Sequence, residues 1–410
     1  MKRAKNISRQ KGERGGVILL VAVFLLFVVG AMAALAIDVV TFYTARSEAQ
    51  LAADGAALAG ARVLANSGMT SKPLDAALVS SAETVATSVA KKVATNNKVG
   101  GRNLDPATEV TVTFPVEGSN PQVRVQVTRS DLPTFFARIW GRTQVTVAAS
   151  ATAEAYNPSG LNTTLGEAPP IAVACVKPWV LPNIDPRNGN PIFDKTTGAI
   201  QNPPLLGDPT VLFSAKSPPS PPPSAWQFYA GDQSTFPAPT QSLPTCNVPL
   251  NDYQTSIAGC VQTPISCNGT VNLNLNPDLN RDKDTAHAVN CLTHTLADKG
   301  DSIDPASGNP PFQFIGGLDN PVAGAQGANI LVSDSLVTVP VYDSSVSLTT
   351  SVQVIGFVQL FLNYDGTKAP PGGGPIDTRV VNLVGCGTSA TGQAVLGNGA
   401  SAIPVRLIAQ

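Results

Sequence analysis

Val17–Ile37 reads VILLVAVFLLFVVGAMAALAI, without one charged or strongly polar side chain. As a helix rising ~1.5 Å per residue it is roughly 31 Å long, the thickness of a bilayer's hydrocarbon core. Lys2, Arg3, Lys5, Arg9, Lys11 and Arg14 precede it, opposed by Glu13, and Asp38 follows at once. Positive-inside bias predicts a cytoplasmic basic tail over 1–16, a transmembrane helix over 17–37 and the rest of the chain on the far side. Ala31-Met32-Ala33 also fits a signal-peptide cleavage site. Because the apolar run continues past Ala33 into further helical sequence, an uncleaved anchor is the expectation and cleavage the alternative.

Beyond Asp38, TARSEAQLAADGAALAGARVLA (Thr44–Ala65) is dense in alanine, the best helix former, so the helix should continue to Asn66-Ser67-Gly68. Gly55 and Gly60 each weaken it by roughly 1 kcal/mol relative to Ala. With Ala52, Ala56 and Ala59 they make a surface on which another backbone can approach closely. The protein's own sheet is the expected neighbour, and a helix of a partner subunit is the alternative. A second helix is predicted with Ser71 as cap, Pro73 in its first turn and a stripe of Leu74, Leu78, Val85, Val89 and Val93. The period then switches to two. Val110, Val112 and Phe114 alternate with threonines, and Val123, Val125 and Val127 with polar residues, across a Gly118-Ser119-Asn120 turn. A helical turn, PTFFARIWG (Pro133–Gly141), and a third strand from Thr143 to Tyr156 complete an α+β module spanning 38–157.

From 158 to 224 the chain is rich in proline and ends in SPPSPPPS (Ser217–Ser224), which reads as a stiff polyproline spacer. Residues 225–410 carry strand patterns near 335–342, 351–364, 376–384 and 402–408, separated by Asp-Gly and Pro-Gly turns. A β-rich domain is expected there, sheet packed on sheet or on a loop layer. The fold class is thus α+β: one transmembrane helix, a helical and antiparallel-sheet module, a spacer and a β-rich end.

Composition narrows function. The net charge is -1 and only 13% of residues are charged, while 43% are hydrophobic. Wholesale disorder and nucleic-acid binding are both disfavoured, the second for want of a basic stripe. With 2 His and 3 Met, histidine-based catalysis has little to work with. No phosphate loop and no nucleophile elbow occurs.

Glu13–Ala61, ERGGVILLVAVFLLFVVGAMAALAIDVVTFYTARSEAQLAADGAALAGA, resembles the N-terminal module of the Flp (Tad) pilus-assembly TadE/TadG-like proteins. The carrying features are an apolar helix ending in Ala-hydrophobic-Asp-Val, an aromatic residue, an Arg-containing turn and the run Gln50 to Gly60. Val123–Ala155 is similar to the tail of the same module. The resemblance spans roughly residues 13–155. It implies a bacterial inner-membrane, single-pass envelope protein, its partners the lipid bilayer and pilus-assembly proteins. Gly15-Gly16 precedes the apolar run as in a pilin leader, but Val21 stands where pilins of the familiar kind carry Glu, which argues against a major pilin. Some TadG-like relatives carry a von Willebrand type A domain with a D-x-S-x-S metal site. Asp343-Ser344-Ser345-Val346-Ser347 matches the string, but the chain ends too soon for the βα units such a domain needs, so a strand ending in a polar turn is expected.

Two other clusters hold metal-ligand residue types. His287, Cys291 and His294 fall on one face of a helix, as zinc ligands would, with Cys260 and Cys267 nearby in sequence. Asp278, Asn280, Asp282 and Asp284 resemble half of a calcium loop, but Lys283 and Val289 occupy its Gly and Glu positions. The expectation for both is structural: disulfides in an oxidising compartment and an Asx-rich turn. The six cysteines, Cys175, Cys246, Cys260, Cys267, Cys291 and Cys386, are expected to pair completely. Local closure favours pairs among Cys246, Cys260, Cys267 and Cys291, and Cys175 with Cys386 ties the two ends. No catalytic residue, cofactor or metal is expected, and no small-molecule ligand can be named. The function read here is an envelope protein working by protein contacts in Flp/Tad-type pilus assembly or anchoring. The alternative is an adhesin or ligand-binding β-domain on a membrane anchor.

Overall fold

The computed structural model describes residues 10–115, 120–160, 169–216, 224–240, 249–276, 281–295, 297, 299–304, 308–388, 392–397, 399 and 401–409. Helix α1 (Gln10–Asn66) runs unbroken for 57 residues, roughly 85 Å at helical rise. Two environments divide it. Its apolar stretch is long and apolar enough to cross a membrane and is not buried against the rest of the chain. From Ala45 onward, alanines at 45, 49, 52, 53, 56 and 57 are fully buried.

Beyond a 3-10 turn at Met69–Ser71 lies α2 (Ala76–Asn96), packed along α1. Its cap is Asp75, whose carboxylate accepts from the Leu78 N–H at 3.1 Å. The expected cap, Ser71, is buried and bonded instead to the backbone of Leu383. The buried face of α2 is also rotated from the expected stripe. Ala82, Ala86, Ala90 and Ala94 point inward with Leu78, while Leu74 is 88% exposed and the valines flank the contact. Alanine wins because the two helices approach closely: a Cβ on Gly60 would lie 3.5 Å from that of Ala90 and 3.0 Å from Val123 Cγ1.

Strands β1 (Val110–Thr113), β2 (Gln122–Pro133) and β3 (Gln144–Ala155) pair antiparallel in sequence order. Their alternating Val123, Val125, Val127, Ala151 and Ala153 are buried in the core they share with α1 and α2. The small-residue surface of α1 is therefore satisfied within the chain, as expected. The Gly118–Ser119 part of the expected turn lies outside the described residues. A fourth strand on the outer edge of β3, Val405–Ala409, comes from the far end of the chain. Arg406 anchors it through the buried Glu154 carboxylate at 2.6 Å and stacks over Tyr156.

The stretch read as a spacer contributes three strands: β4 (Ile171–Val173), β5 (Trp179–Pro182) and β6 (Pro209–Ser214). They are buried along nearly their whole length and closely bounded by proline and glycine, so no polar–apolar period shows. Of the polyproline run, residues 217–223 lie outside the described residues. β5 and β6 join β7 (Trp226–Ala230), β10 (Leu336–Tyr342), β11 (Ser351–Leu362) and β12 (Ile376–Gly385). Instead of packing sheet on sheet, these six strands follow the order β11-β10-β5-β7-β6-β12, and the pairing of β12 with β11 closes them on themselves. Closure leaves no free edge among the six. Trp179, Leu181, Trp226, Phe228, Val339 and Leu360 belong to its core. Two helices, α3 (Asp252–Ala258) and α4 (Arg281–Leu292), pack on each other and add Tyr253, Ile257 and Val289 to that core.

A minor sheet joins β8 (Ile265–Ser266), β4 and β13 (Val395–Leu396), and β9 (Thr270–Asn272) extends β11. This minor sheet sets the disulfides. Cys175 follows β4 and bonds Cys260, and Cys267 follows β8 and bonds Cys386 beyond β12. The expectation of local pairs is thus corrected for Cys260 and Cys267, as is Cys175 with Cys386: strand pairing of residues 171–173 with 265–266 outweighs short loop closure. Cys291 is also disulfide-bonded, Cys246 lies outside the described residues, and no described cysteine is free.

Candidate functional site at the exit of the apolar helix

Asp38 is the first charged residue after the apolar run, and the fold buries it to 3% exposure. Its Oδ1 accepts from the N–H of Phe135 at 2.6 Å, and its Oδ2 from those of Phe136 and Ala137 at 2.8 and 3.0 Å. These donors open the 3-10 turn Ala137–Trp140 between β2 and β3, where N–H groups lack intrahelical acceptors. Burial alone raises the carboxyl's pKa, but the three backbone bonds outweigh it and hold the group below its ordinary range. A carboxylate occupied in this way is a clamp rather than an acid or base. It fixes the turn that meets α1 at Asp38, with Phe136 packed against Trp140 at 4.7 Å between centroids, the rings tilted by 45°.

An ion network braces the same end of the sheet. Arg102 binds Glu109 and Asp131 at 2.6 and 2.9 Å, and Arg129 reaches Asp131 at 2.6 Å and the Val99 carbonyl. The hydrogen bonds from Arg129 and Arg102 pull the Asp131 pKa down to about 2. Glu48 of α1 accepts from the Gly100 N–H at 2.7 Å, tying the network to the helix.

At the other end of α1 a buried polar junction joins it to the barrel. Asn382 donates to the Ala65 carbonyl and to Gln359 Oε1, both at 2.7 Å. Asn157 donates to the Leu383 carbonyl at 3.0 Å and toward Thr70. Gly68, at φ 84°, lets the chain turn where a Cβ would meet the Val381 carbonyl at 3.1 Å.

The other sequence candidates are dispersed. His287 Nδ1 lies 3.2 Å from Gln254 Nε2. α4 ends at Leu292, so His294 leaves the helical face at φ 54° and meets Asp334 at 3.0 Å. Asp278 and Asn280 lie outside the described residues. Asp282 accepts from the Ser214 N–H at 2.8 Å, and Asp284 accepts from Asn251 at 3.0 Å. Asp343 accepts from Ser345 and is paired with Lys195 Nζ at 3.1 Å. Among the described residues no three His, Cys, Asp or Glu side chains gather as a metal would require. Sequence reading marked Asp38 only as the end of the apolar run. Its donors stand 97 to 99 residues away, and a bond to backbone leaves no residue-type signal at the far position.

Residues 15–63 match the family described as "Putative Flp pilus-assembly TadE/G-like", and residues 44–153 match "Putative Tad-like Flp pilus-assembly". Neither a curated protein nor a solved structure gives a match. Together the two family matches run from the apolar helix through Asp38 and its turn almost to the end of β3, leaving the barrel outside. Over residues 15–153, then, this chain is similar to the TadE/G-like proteins of Flp pilus assembly, as its residues led one to expect.

Proposed function

We propose that the chain is a single-pass envelope protein of the bacterial inner membrane that works by protein contacts in Flp/Tad-type pilus assembly and performs no catalysis. Its N-terminus is cytoplasmic, and all that follows Asp38 lies outside. The observation that carries this reading is the continuity of α1. One helix is bare over an apolar stretch long enough to cross a bilayer, then enters the core of the pilus-assembly-like module with no break. A hinge-free connection transmits the orientation of the membrane segment to the module. The junction at Asn382 and Asn157 carries it on to the barrel, which offers its outer surface to partners.

Two experiments test this. A reporter active only outside the cytoplasm should work when fused after Ala65 and stay silent when fused at Ser8. A mature N-terminus at Ala34 would refute the anchor. The detergent-solubilised full chain should co-purify with components of the pilus secretion machinery. Recovery without them, together with capture of an extracellular glycan or matrix protein, would favour an adhesin.

A further inference from the structure

The turn held by Asp38 carries large apolar side chains that the fold leaves largely exposed. Phe135, Ile139 and Trp140 are 57%, 63% and 67% exposed, all within six residues. At the same level of α1, on the side of the helix away from Asp38, Val39, Val40 and Tyr43 are exposed as well. Arg138 and Arg142 stand on the same turn, and Pro133–Arg142 contains no acidic residue.

Their position identifies what covers them. Asp38 directly follows the apolar run, so its carboxylate marks where α1 leaves the hydrocarbon. The backbone of residues 135–137 lies within 3.0 Å of that carboxylate. The interfacial layer on each side of a bilayer is only about 5–7 Å thick, so a turn fixed there has its side chains at headgroup depth. Trp and Tyr concentrate at that depth because their rings are apolar with one polar edge, and arginine stems lie along apolar surface while their heads reach phosphate. Resting on the membrane-spanning reading of α1, we infer that the Phe135–Trp140 turn is a second membrane contact, seated in the headgroup and upper acyl region of the leaflet from which α1 emerges. Two points of attachment, the helix and the turn, fix the tilt and rotation of the module on the bilayer, which one helix alone leaves free. Asp38 is the positioning residue: it sets the depth of the turn without touching lipid.

The test uses the full chain in vesicles of phosphatidylethanolamine and phosphatidylglycerol whose acyl chains carry bromine at shallow or deep positions. Trp179 and Trp226 are buried, so the difference between the natural protein and Trp140→Phe isolates Trp140 emission. Shallow bromines should quench it more than deep ones, and iodide in the water should quench it little. Leu25→Trp in the Trp140→Phe background reports the span itself and should be quenched most by deep bromines. Asp38→Ala, which releases the turn, should reduce shallow quenching of Trp140 while leaving a tryptophan at position 25 quenched. If the tryptophan at 25 is quenched and Trp140 answers only to iodide, the second contact is refuted and the span stands. If neither responds to lipid, the span reading itself fails.

Discussion

Replacing Asn382 by alanine removes both ends of the link between α1 and the barrel. The side chain is fully buried, and its amide is the donor to the Ala65 carbonyl and to Gln359 Oε1, each at 2.7 Å. Ala65 lies in the last turn of α1, where carbonyls have no intrahelical donor. Leaving two buried acceptors without partners costs about 1–3 kcal/mol each, so Asn382→Ala should destabilise the protein by about 2–6 kcal/mol. With an unfolding entropy of about 2.1 cal/mol/K per residue, a body of this size loses roughly 1–1.5 °C per kcal/mol, a fall in Tm of roughly 2–9 °C. The assay is thermal unfolding of the full chain in detergent micelles, followed by emission of the buried Trp179 and Trp226. Hydrogen exchange at residues 65–71 provides a second readout and should accelerate with the barrel's. Lys92→Ala, at an exposed site of α2, serves as control and should stay within about 0.5 kcal/mol. A loss below about 1 kcal/mol, with exchange at 65–71 unchanged, would show that the link is not what joins the two parts.

Four further outcomes follow from other contacts. Lys177 is buried and caps α3 by donating to the carbonyls of Ile257 and Gly259, and burial lowers its pKa from 10.5 to about 8. Between those values the unfolded chain binds more protons than the folded one, so stability should rise with pH from about 8 to 10.5, by at most about 3.5 kcal/mol at ~1.4 kcal/mol per unit. In Lys177→Met that component of the slope should vanish from denaturation curves taken at both ends of the window. Cys267→Ser with Cys386→Ser opens a bridge between residues 119 apart and should cost close to 5 kcal/mol by chain entropy, measured by unfolding without reductant. The intact, denatured and unreduced protein should titrate no free thiol. Gly60→Leu drives a side chain into Val123 and Ala90 and should cost at least about 1–3 kcal/mol, with unfolding midpoints as the check.

Some of this was legible because local pattern and tertiary role coincide. The apolar run before Asp38, the Thr44–Ala65 helix and the alternating strands 110–113, 122–133 and 144–155 each declare themselves by period. α2 misleads because its valines form the more hydrophobic stripe while the close helix contact selects its alanines. Trp179–Pro182 and Pro209–Ser214 are buried along most of their length, so they show no polar–apolar alternation, and their partners are remote. The cysteine connectivity depends on an equally remote pairing, that of 171–173 with 265–266, and was illegible for the same reason. At the helix exit, the charge of Asp38 and the PTFFARIWG turn were each visible, but the bond between them was not, since backbone donors carry no sequence signature.

The edge position of Val405–Ala409 bears on the order of events during synthesis. Arg406 and Glu154 lie 252 residues apart, so α1, α2 and the first three strands are made long before the fourth arrives. Until then the outer edge of Gln144–Ala155 presents unpaired N–H and C=O groups, a template on which a strand from another molecule can form. A product truncated in the barrel keeps that edge open indefinitely. The strand at 405–409 thus covers an edge of the 38–157 module that stays open until the chain has been made that far.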